Sequence, residues 1–257
     1  MSQGLAVVTG ASSGIGLELA RCCARDGYAL LICSDTAEIE EAAEALRAEG
    51  AKVETLQADL ATPDGVARLI AAVGSRPVEA LLANAGIGLG GAFLDQDLGR
   101  ALRVVQLNIE GTVRLVHHVG RRMRARDRGR ILITGSIAGF LPGSFQAVYN
   151  GTKAFLDNFS VGLRDELRDS RVTVTCLMPG ATETDFFETA GMEDTKVGRA
   201  DKADPADVAR QGYAAMCEGE SGVVTGFMNK VRTVFSGLLP DTVLAEMHRR
   251  MARPGEG

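Results

Sequence analysis

Six short runs rich in Val, Ile, Leu, Ala and Cys punctuate the chain, at Leu5 to Val8, Ala29 to Cys33, Lys52 to Leu56, Ala80 to Ala83, Arg130 to Thr134 and Val172 to Leu177. Longer segments separate them, in which apolar residues recur every three or four positions: Gly14 to Arg25, Glu38 to Ala48, Pro63 to Val73, Leu98 to Arg126 and Phe145 to Arg168. Strands alternating with helices predict a parallel sheet, because parallel neighbours need a long crossover between them. The runs are apolar almost without alternation (LLIC, ILIT, VTVTCLM), as required when helices cover both faces and neither meets water. The expected fold is therefore α/β and doubly wound, with a parallel sheet of about seven strands.

Composition narrows the function classes. With 46% hydrophobic and 24% charged residues among 257, the chain has enough apolar material for a core and is not disordered. No repeat, charge block or low-complexity linker divides it, so residues 1–257 are expected to form a single domain. A polar, Gly-containing stretch at about 181–204 is expected to be a functional loop, and about 228–257 a C-terminal extension. Lys and Arg number 28 against 33 Asp and Glu, a net charge of −5, which leaves no electrostatic footprint for nucleic acid. The five cysteines are odd in number and lack C-x-x-C spacing, so they read as reduced, mostly buried hydrophobes, and no metal site is expected. His117 and His118 lie in a helix without acidic or Cys partners, His248 sits in the tail, and the basic run Arg121 to Arg126 reads as a solvated helix end. The opening MSQGLAVVTG has no basic or long apolar segment and nothing approaches the ~18 apolar residues of a membrane span, so a soluble cytoplasmic protein is expected.

The first strand runs into Thr9-Gly10-Ala11-Ser12-Ser13-Gly14-Ile15-Gly16 and then a helix. In this setting Gly10 makes the tight turn, Gly14 lets a diphosphate approach the backbone and Gly16 lets the helix pack closely on the strand. The helix N-terminus offers unpaired N–H groups and a partial positive charge to the phosphate. Gly10, Ser12, Ser13, Gly14, Ile15 and Gly16 are the candidate dinucleotide residues.

This T-G-x-x-x-G-x-G spacing resembles that of the short-chain dehydrogenases/reductases, and further matches follow in order along most of the chain: Asp59, Asn84-Ala85-Gly86, Asn108, Ser136, Tyr149-x-x-x-Lys153 and Pro179-Gly180. Two positions depart from the family pattern. Ala83 stands where the family often has the first Asn of N-N-A-G, and Gly135 where a Ser often precedes the catalytic one. The resemblance implies a Rossmann fold, a nicotinamide cofactor and a homodimer or homotetramer formed through the long helices at Leu98 to Arg126 and Phe145 to Arg168. It also implies that Asp59, with Leu60, meets the adenine ring, that Asn84, Ala85 and Gly86 line the cofactor site, and that Pro179, Gly180, Thr182 and Thr184 hold the carboxamide. Asp59 would equally serve as a cap before Pro63, and Thr184 as a cap for the following turn.

Asp35 ends the second strand about 20 residues after the glycine loop, where an acidic side chain bonds the adenosine ribose and repels a 2′-phosphate. No Lys or Arg occupies this position or Ser13, so NAD(H) is favoured while NADP(H) stays open; a turn or capping role for Asp35 is the competing reading.

Tyr149 and Lys153 are four residues apart and so share one helix face. A phenol with pKa near 10 needs about 4 kcal/mol of help to act as a base at pH 7, which a neighbouring ammonium can contribute in a dry cleft. By resemblance, Tyr149 is the general acid/base, Ser136 holds the carbonyl oxygen, Lys153 lowers the Tyr149 pKa and binds the nicotinamide ribose, and Asn108 holds a water in a proton relay. Read without the resemblance, Asn108 equally satisfies a helix irregularity.

The expected activity is interconversion of a secondary alcohol and a ketone, or reduction of a related carbonyl, on a partly apolar small molecule. Phe186 to Lys202, Gly88 to Leu94, Phe140, Leu141 and Phe145 are the candidate pocket residues. The tail from Met228 to Met251 mixes apolar and basic residues; packing over the cleft or a second subunit is expected ahead of a membrane surface. The alternatives are a cofactor-binding regulatory or scaffold protein, which needs no phenol chemistry, and an epimerase or dehydratase, whose chains are generally longer with different glycine spacing. Asp35→Ala combined with Ser34→Arg is expected to shift preference toward NADP(H) in paired NADH and NADPH titrations, read by nicotinamide fluorescence because the chain has no Trp; unchanged selectivity removes Asp35 as the selector.

Overall fold

The computed structural model describes residues 4–226 and 239–255. Seven parallel strands, β1 (Leu5–Thr9), β2 (Ala29–Ser34), β3 (Val53–Gln57), β4 (Val78–Ala83), β5 (Gly129–Thr134), β6 (Val172–Met178) and β7 (Gly222–Val224), form one sheet in the order β3-β2-β1-β4-β5-β6-β7. Six of them match the apolar runs of the sequence. The seventh has three residues and pairs with the end of β6, Cys176 opposite Gly222, and is too short to carry a periodic signal of its own.

The helices are α1 (Gly14–Arg25), α2 (Ile39–Ala48), α3 (Pro63–Val73), α4 (Leu98–Val105), α5 (Thr112–Ala125), α6 (Ala147–Glu166), the short α7 (Phe186–Thr189) and α8 (Lys196–Arg199), α9 (Pro205–Glu218) and α10 (Asp241–Ala252). The segment read as one long helix from Leu98 to Arg126 is interrupted by a π-helical turn at Gln106–Gly111, which apolar spacing does not reveal. Residues 227–238 of the tail lie outside the described residues.

Alternation along each strand builds a core on both faces. Leu5, Val7, Leu31 and Cys33 pack toward Val66 and Leu69 of α3, Leu115 and Val119 of α5 and Leu156 of α6. Ala6, Val8, Leu30 and Ile32 pack toward Leu19 of α1, Ile39 and Leu46 of α2 and Met216 of α9. Every residue of β1 is buried, which is why the sequence runs had no polar partner at alternate positions. The strand order reverses between β1 and β4, so their carboxyl ends splay and leave a crevice.

Thr62 and Asp204 cap the N-termini of α3 and α9. Thr62 Oγ1 accepts from the Gly65 N–H at 3.0 Å, and Asp204 Oδ1 from the Ala206 N–H at 2.8 Å, each before a proline in the first turn. Thr62→Ala is expected to cost about 1 kcal/mol and to lower the melting temperature by about 2–4 °C in a thermal unfolding scan followed by circular dichroism.

Candidate active site

The crevice is built first from backbone. Gly10 and Ala11 N–H groups both reach the Cys33 carbonyl, at 2.8 and 3.3 Å, closing the turn after β1. A Cβ on Gly16 would overlap the Gly10 carbonyl, so only glycine lets α1 sit this close to the strand end. Gly14 has φ of 54°, and a Cβ there would lie 2.7 Å from the Thr184 methyl. Ser13, the N-cap of α1, makes no side-chain capping bond and donates instead to Asp185 at 3.3 Å, which keeps side chains off the first-turn N–H groups of α1. A backbone cradle with donors at a helix N-terminus fits a diphosphate.

Asn84 ties three strand ends together: its Nδ2 donates to the Thr9 and Gly10 carbonyls at 3.2 and 3.3 Å, and its Oδ1 accepts from Thr134 Oγ1 at 3.0 Å. Thr9 Oγ1 accepts in turn from the Asn84 and Ala85 N–H groups, both at 3.0 Å. Above this junction lies a cavity of about 1150 Å3 lined by Gly10, Ser12, Ser13, Gly14, Ile15, Gly16, Asp35, Leu60, Asn84, Ala85, Gly86, Ser136, Tyr149, Lys153, Pro179, Gly180, Thr182 and Thr184. Its size exceeds the ~300–1,000 Å3 of a single small-ligand pocket, enough for a dinucleotide and a second molecule.

Of the catalytic and cofactor-binding residues expected from the sequence, Asp59 and Asn108 do not line it. Asp59 Oδ2 accepts from Arg103 Nη1 at 2.8 Å, and Asp35 Oδ2 accepts from Nη2 of the same guanidinium at 3.3 Å. Burial would raise the Asp59 carboxyl, but the Arg103 and Ala61 N–H bonds outweigh it and hold the pKa below its ordinary value. Arg103 went unnoticed in the sequence because it lies 44 residues from Asp59 and 68 from Asp35; only the docking of α4 brings them together.

Asn108 is fully buried in the π-helical turn. Its Oδ1 accepts from the Ile87 N–H at 2.9 Å, while Nδ2 donates to the Ile87 carbonyl and to Thr152 Oγ1, both at 3.0 Å. It thereby fixes the loop after β4 against the residue preceding Lys153.

Tyr149 and Lys153 lie one turn apart in α6, both buried. The Lys153 Nζ is 5.8 Å from the Tyr149 ring centre and donates to the Thr134 carbonyl at 2.8 Å. Ser136 Oγ donates to the Pro179 carbonyl at 3.3 Å and accepts from the Ala138 N–H at 3.1 Å. Burial pushes the Tyr149 phenol up to about 12; a hydrogen bond with Ser136 opposes this, and the charge of Asp157 reinforces it. Burial likewise draws Lys153 down to about 8 against the pull of Asp157. Desolvation outweighs the lowering of the Tyr149 pKa expected from Lys153, whose ammonium donates to the Thr134 carbonyl. A phenol held protonated is poised as a proton donor.

The substrate side is apolar. Phe186 of α7 packs with its ring centre 5.1 Å from that of Tyr149, and Phe187 stands edge-on to Phe186 at 5.4 Å. Leu141, Val197 and Met251 also line the cavity. Gly88 lines it as expected, but Leu89 is buried behind it, Leu94 is 91% exposed, and neither Phe140 nor Phe145 reaches it. From the tail, α10 contributes His248 and Met251. His248 meets the Ser144 carbonyl through Nδ1 at 2.9 Å and Asn150 Nδ2 through Nε2 at 3.3 Å; burial holds it below its ordinary pKa despite the Ser144 bond.

Among the described residues, no group of three or more His, Cys, Asp or Glu is disposed to hold a metal, and no helix is long and apolar enough to cross a membrane. All five cysteines are free, with Cys217 exposed.

Comparison with known proteins agrees with this geometry. The family model described as short chain dehydrogenase matches residues 4–194. Serine 3-dehydrogenase of Agrobacterium fabrum is 35% identical over 188 residues, 72% of this chain and 74% of its own. Human 17-beta-hydroxysteroid dehydrogenase type 1 is 33% identical over 195 residues, 73% of this chain and 60% of its own. Among solved structures, the short-chain dehydrogenase from Sphingobium yanoikuyae in complex with NADPH superposes with a TM-score of 0.81 at 30% identity, covering 91% of this chain and 94% of that one. A Rossmann sheet with a glycine cradle at its switch point, matched across most of its length, makes this chain a member of the short-chain dehydrogenase/reductase family of NAD(P)-linked oxidoreductases.

Proposed function

We propose that the protein interconverts a secondary alcohol and a ketone by hydride transfer, in one nucleotide-binding domain. The observation that carries this reading is the convergence of Tyr149, Ser136 and Lys153 on one wall of the cavity whose other end is the glycine cradle. A bound nicotinamide dinucleotide supplies or accepts the hydride. Gly10, Ser12, Ser13, Gly14, Ile15 and Gly16 would hold its diphosphate, Asp35 and Leu60 its adenosine end with Asp59 bracing Arg103 beside them, Asn84, Ala85, Gly86 and Lys153 the middle, and Pro179, Gly180, Thr182 and Thr184 the carboxamide.

In the reductive direction Tyr149 gives its phenolic proton to the substrate oxygen while the Ser136 hydroxyl holds that oxygen and stabilises its developing charge. Lys153 keeps positive charge beneath the phenol, and Asn108 steadies the backbone on which Lys153 rests. Phe186 and Phe187 exclude water from the phenol and favour a partly apolar ketone. Leu98 and Leu102 on α4 and Phe155 and Val161 on α6 expose large apolar groups, which supports a homodimer or homotetramer formed through these helices.

Asp35 favours NAD(H), yet its charge is shared with Arg103, which softens its repulsion of a 2′-phosphate. Arg103→Ala is expected to widen the preference for NADH over NADPH by up to about fivefold, the scale of a half-exposed ion pair, in paired fluorescence titrations. Tyr149→Phe is expected to reduce turnover by about 10²–10⁴ with cofactor affinity retained, assayed with NADH and NADPH against cyclohexanone, acetophenone, ethyl acetoacetate and a steroid ketone. Near-normal turnover in that variant overturns the mechanism.

A further inference from the structure

The mechanism leaves one buried charge unused. Asp157 lies one turn beyond Lys153 in α6 and is 8% exposed. Its Oδ1 accepts from the Ser136 N–H at 3.3 Å and from Cys176 Sγ of β6 at 3.4 Å, while Oδ2 has no hydrogen-bond partner among the described residues. The space it occupies exists only because two neighbours lack side chains. A Cβ on Gly135 would overlap Oδ1, and a Cβ on Gly139 would overlap Oδ2. The loop carrying Ser136 is thus wrapped around the carboxyl, with glycine on either side.

A buried carboxylate is costly unless paired, and among the described residues this one has a single backbone donor, a weak thiol and no salt bridge. The charged and titratable groups that act on it are Lys153 and Tyr149 from its own helix and Cys176 from β6; the Ser136 loop presents only backbone. Such a group is retained at a cost to stability and is explained by what it orients.

We propose that Asp157 is a positioning residue for Ser136, holding the Ser136 backbone through its N–H so that the hydroxyl stays aligned with Tyr149. This explains the departure at Gly135: a serine there would displace the carboxyl, so glycine at 135 and aspartate at 157 form one device. The proposal rests on the catalytic reading of Ser136 and Tyr149.

Two measurements separate them. Burial pushes the Asp157 carboxyl up to about 6, against the bonds from Cys176 and Ser136 and the charge of Lys153, so it is ionised above that pH and protonated below it. In ¹⁵N-labelled protein the Ser136 amide proton should therefore shift with a midpoint near 6 and stop titrating in Asp157→Asn. A Ser136 amide indifferent to pH in the unmodified protein overturns the proposal without reference to any substrate. In turnover of whichever ketone of the panel reacts fastest, Asp157→Ala should lower kcat about 10- to 100-fold with cofactor affinity unchanged. Asp157→Asn, which keeps the acceptor oxygen, should recover most of it. In a Ser136→Ala background Asp157→Ala should cost less than about twofold more, since residues acting as a unit are not additive. Additive losses overturn the positioning role, whereas a Ser136→Ala variant with full activity overturns the catalytic reading itself.

Discussion

The side-chain amide of Asn84 is the contact on which the site depends. Parallel strands at a reversal of order have no partner to close the gap between their diverging ends, and backbone carbonyls left there would lack donors. Asn84 supplies two donors to β1 and takes one from β5, converting an open seam into a fixed floor. The glycine cradle, Ala85 and Gly86, and Thr134, whose carbonyl holds Lys153, all sit on that floor. Their geometry is inherited from it.

Charge in this molecule is handled differently at the two ends of the cavity. At the adenosine end, Asp35, Asp59 and Arg103 are half-exposed, so water screens them and their interactions are weak and adjustable. At the catalytic end Tyr149, Lys153 and Asp157 are buried along one stripe of α6, where desolvation governs every protonation state. The first arrangement suits discrimination between similar ligands. The second suits chemistry, since a field in a dry site is strong.

Much of this was legible in the sequence because local rules acted alone. Six strands, the ends of α1 and α3, the caps at Thr62 and Asp204, and the glycine loop follow from periodicity, proline and backbone sterics within a few residues. What escaped depended on docking between distant segments. Arg103 drew no notice in the sequence, because only the docking of α4 brings it to Asp35 and Asp59. Asp157 drew none either, although its helical spacing puts it on the stripe of Tyr149, Lys153 and Ser160. The departure at Gly135 was seen, but its cause lies across the loop. Phe140 and Phe145 were placed in the pocket from apolar character alone, which does not specify direction.

The π-helical turn at Gln106–Gly111 acts as a phase adjuster. Wider turns insert a residue without breaking the helix, so winding continues from α4 into α5 with their faces offset. An α-helix advances about 100° per residue. Removing one residue here and restoring regular winding would swing α4 by about that angle relative to α5. Arg103 would turn away from Asp35 and Asp59 just as Asn108 left Ile87. The two ends of the cavity, one concerned with the identity of the nucleotide and the other with the reaction, are thus set by a single local winding of the chain.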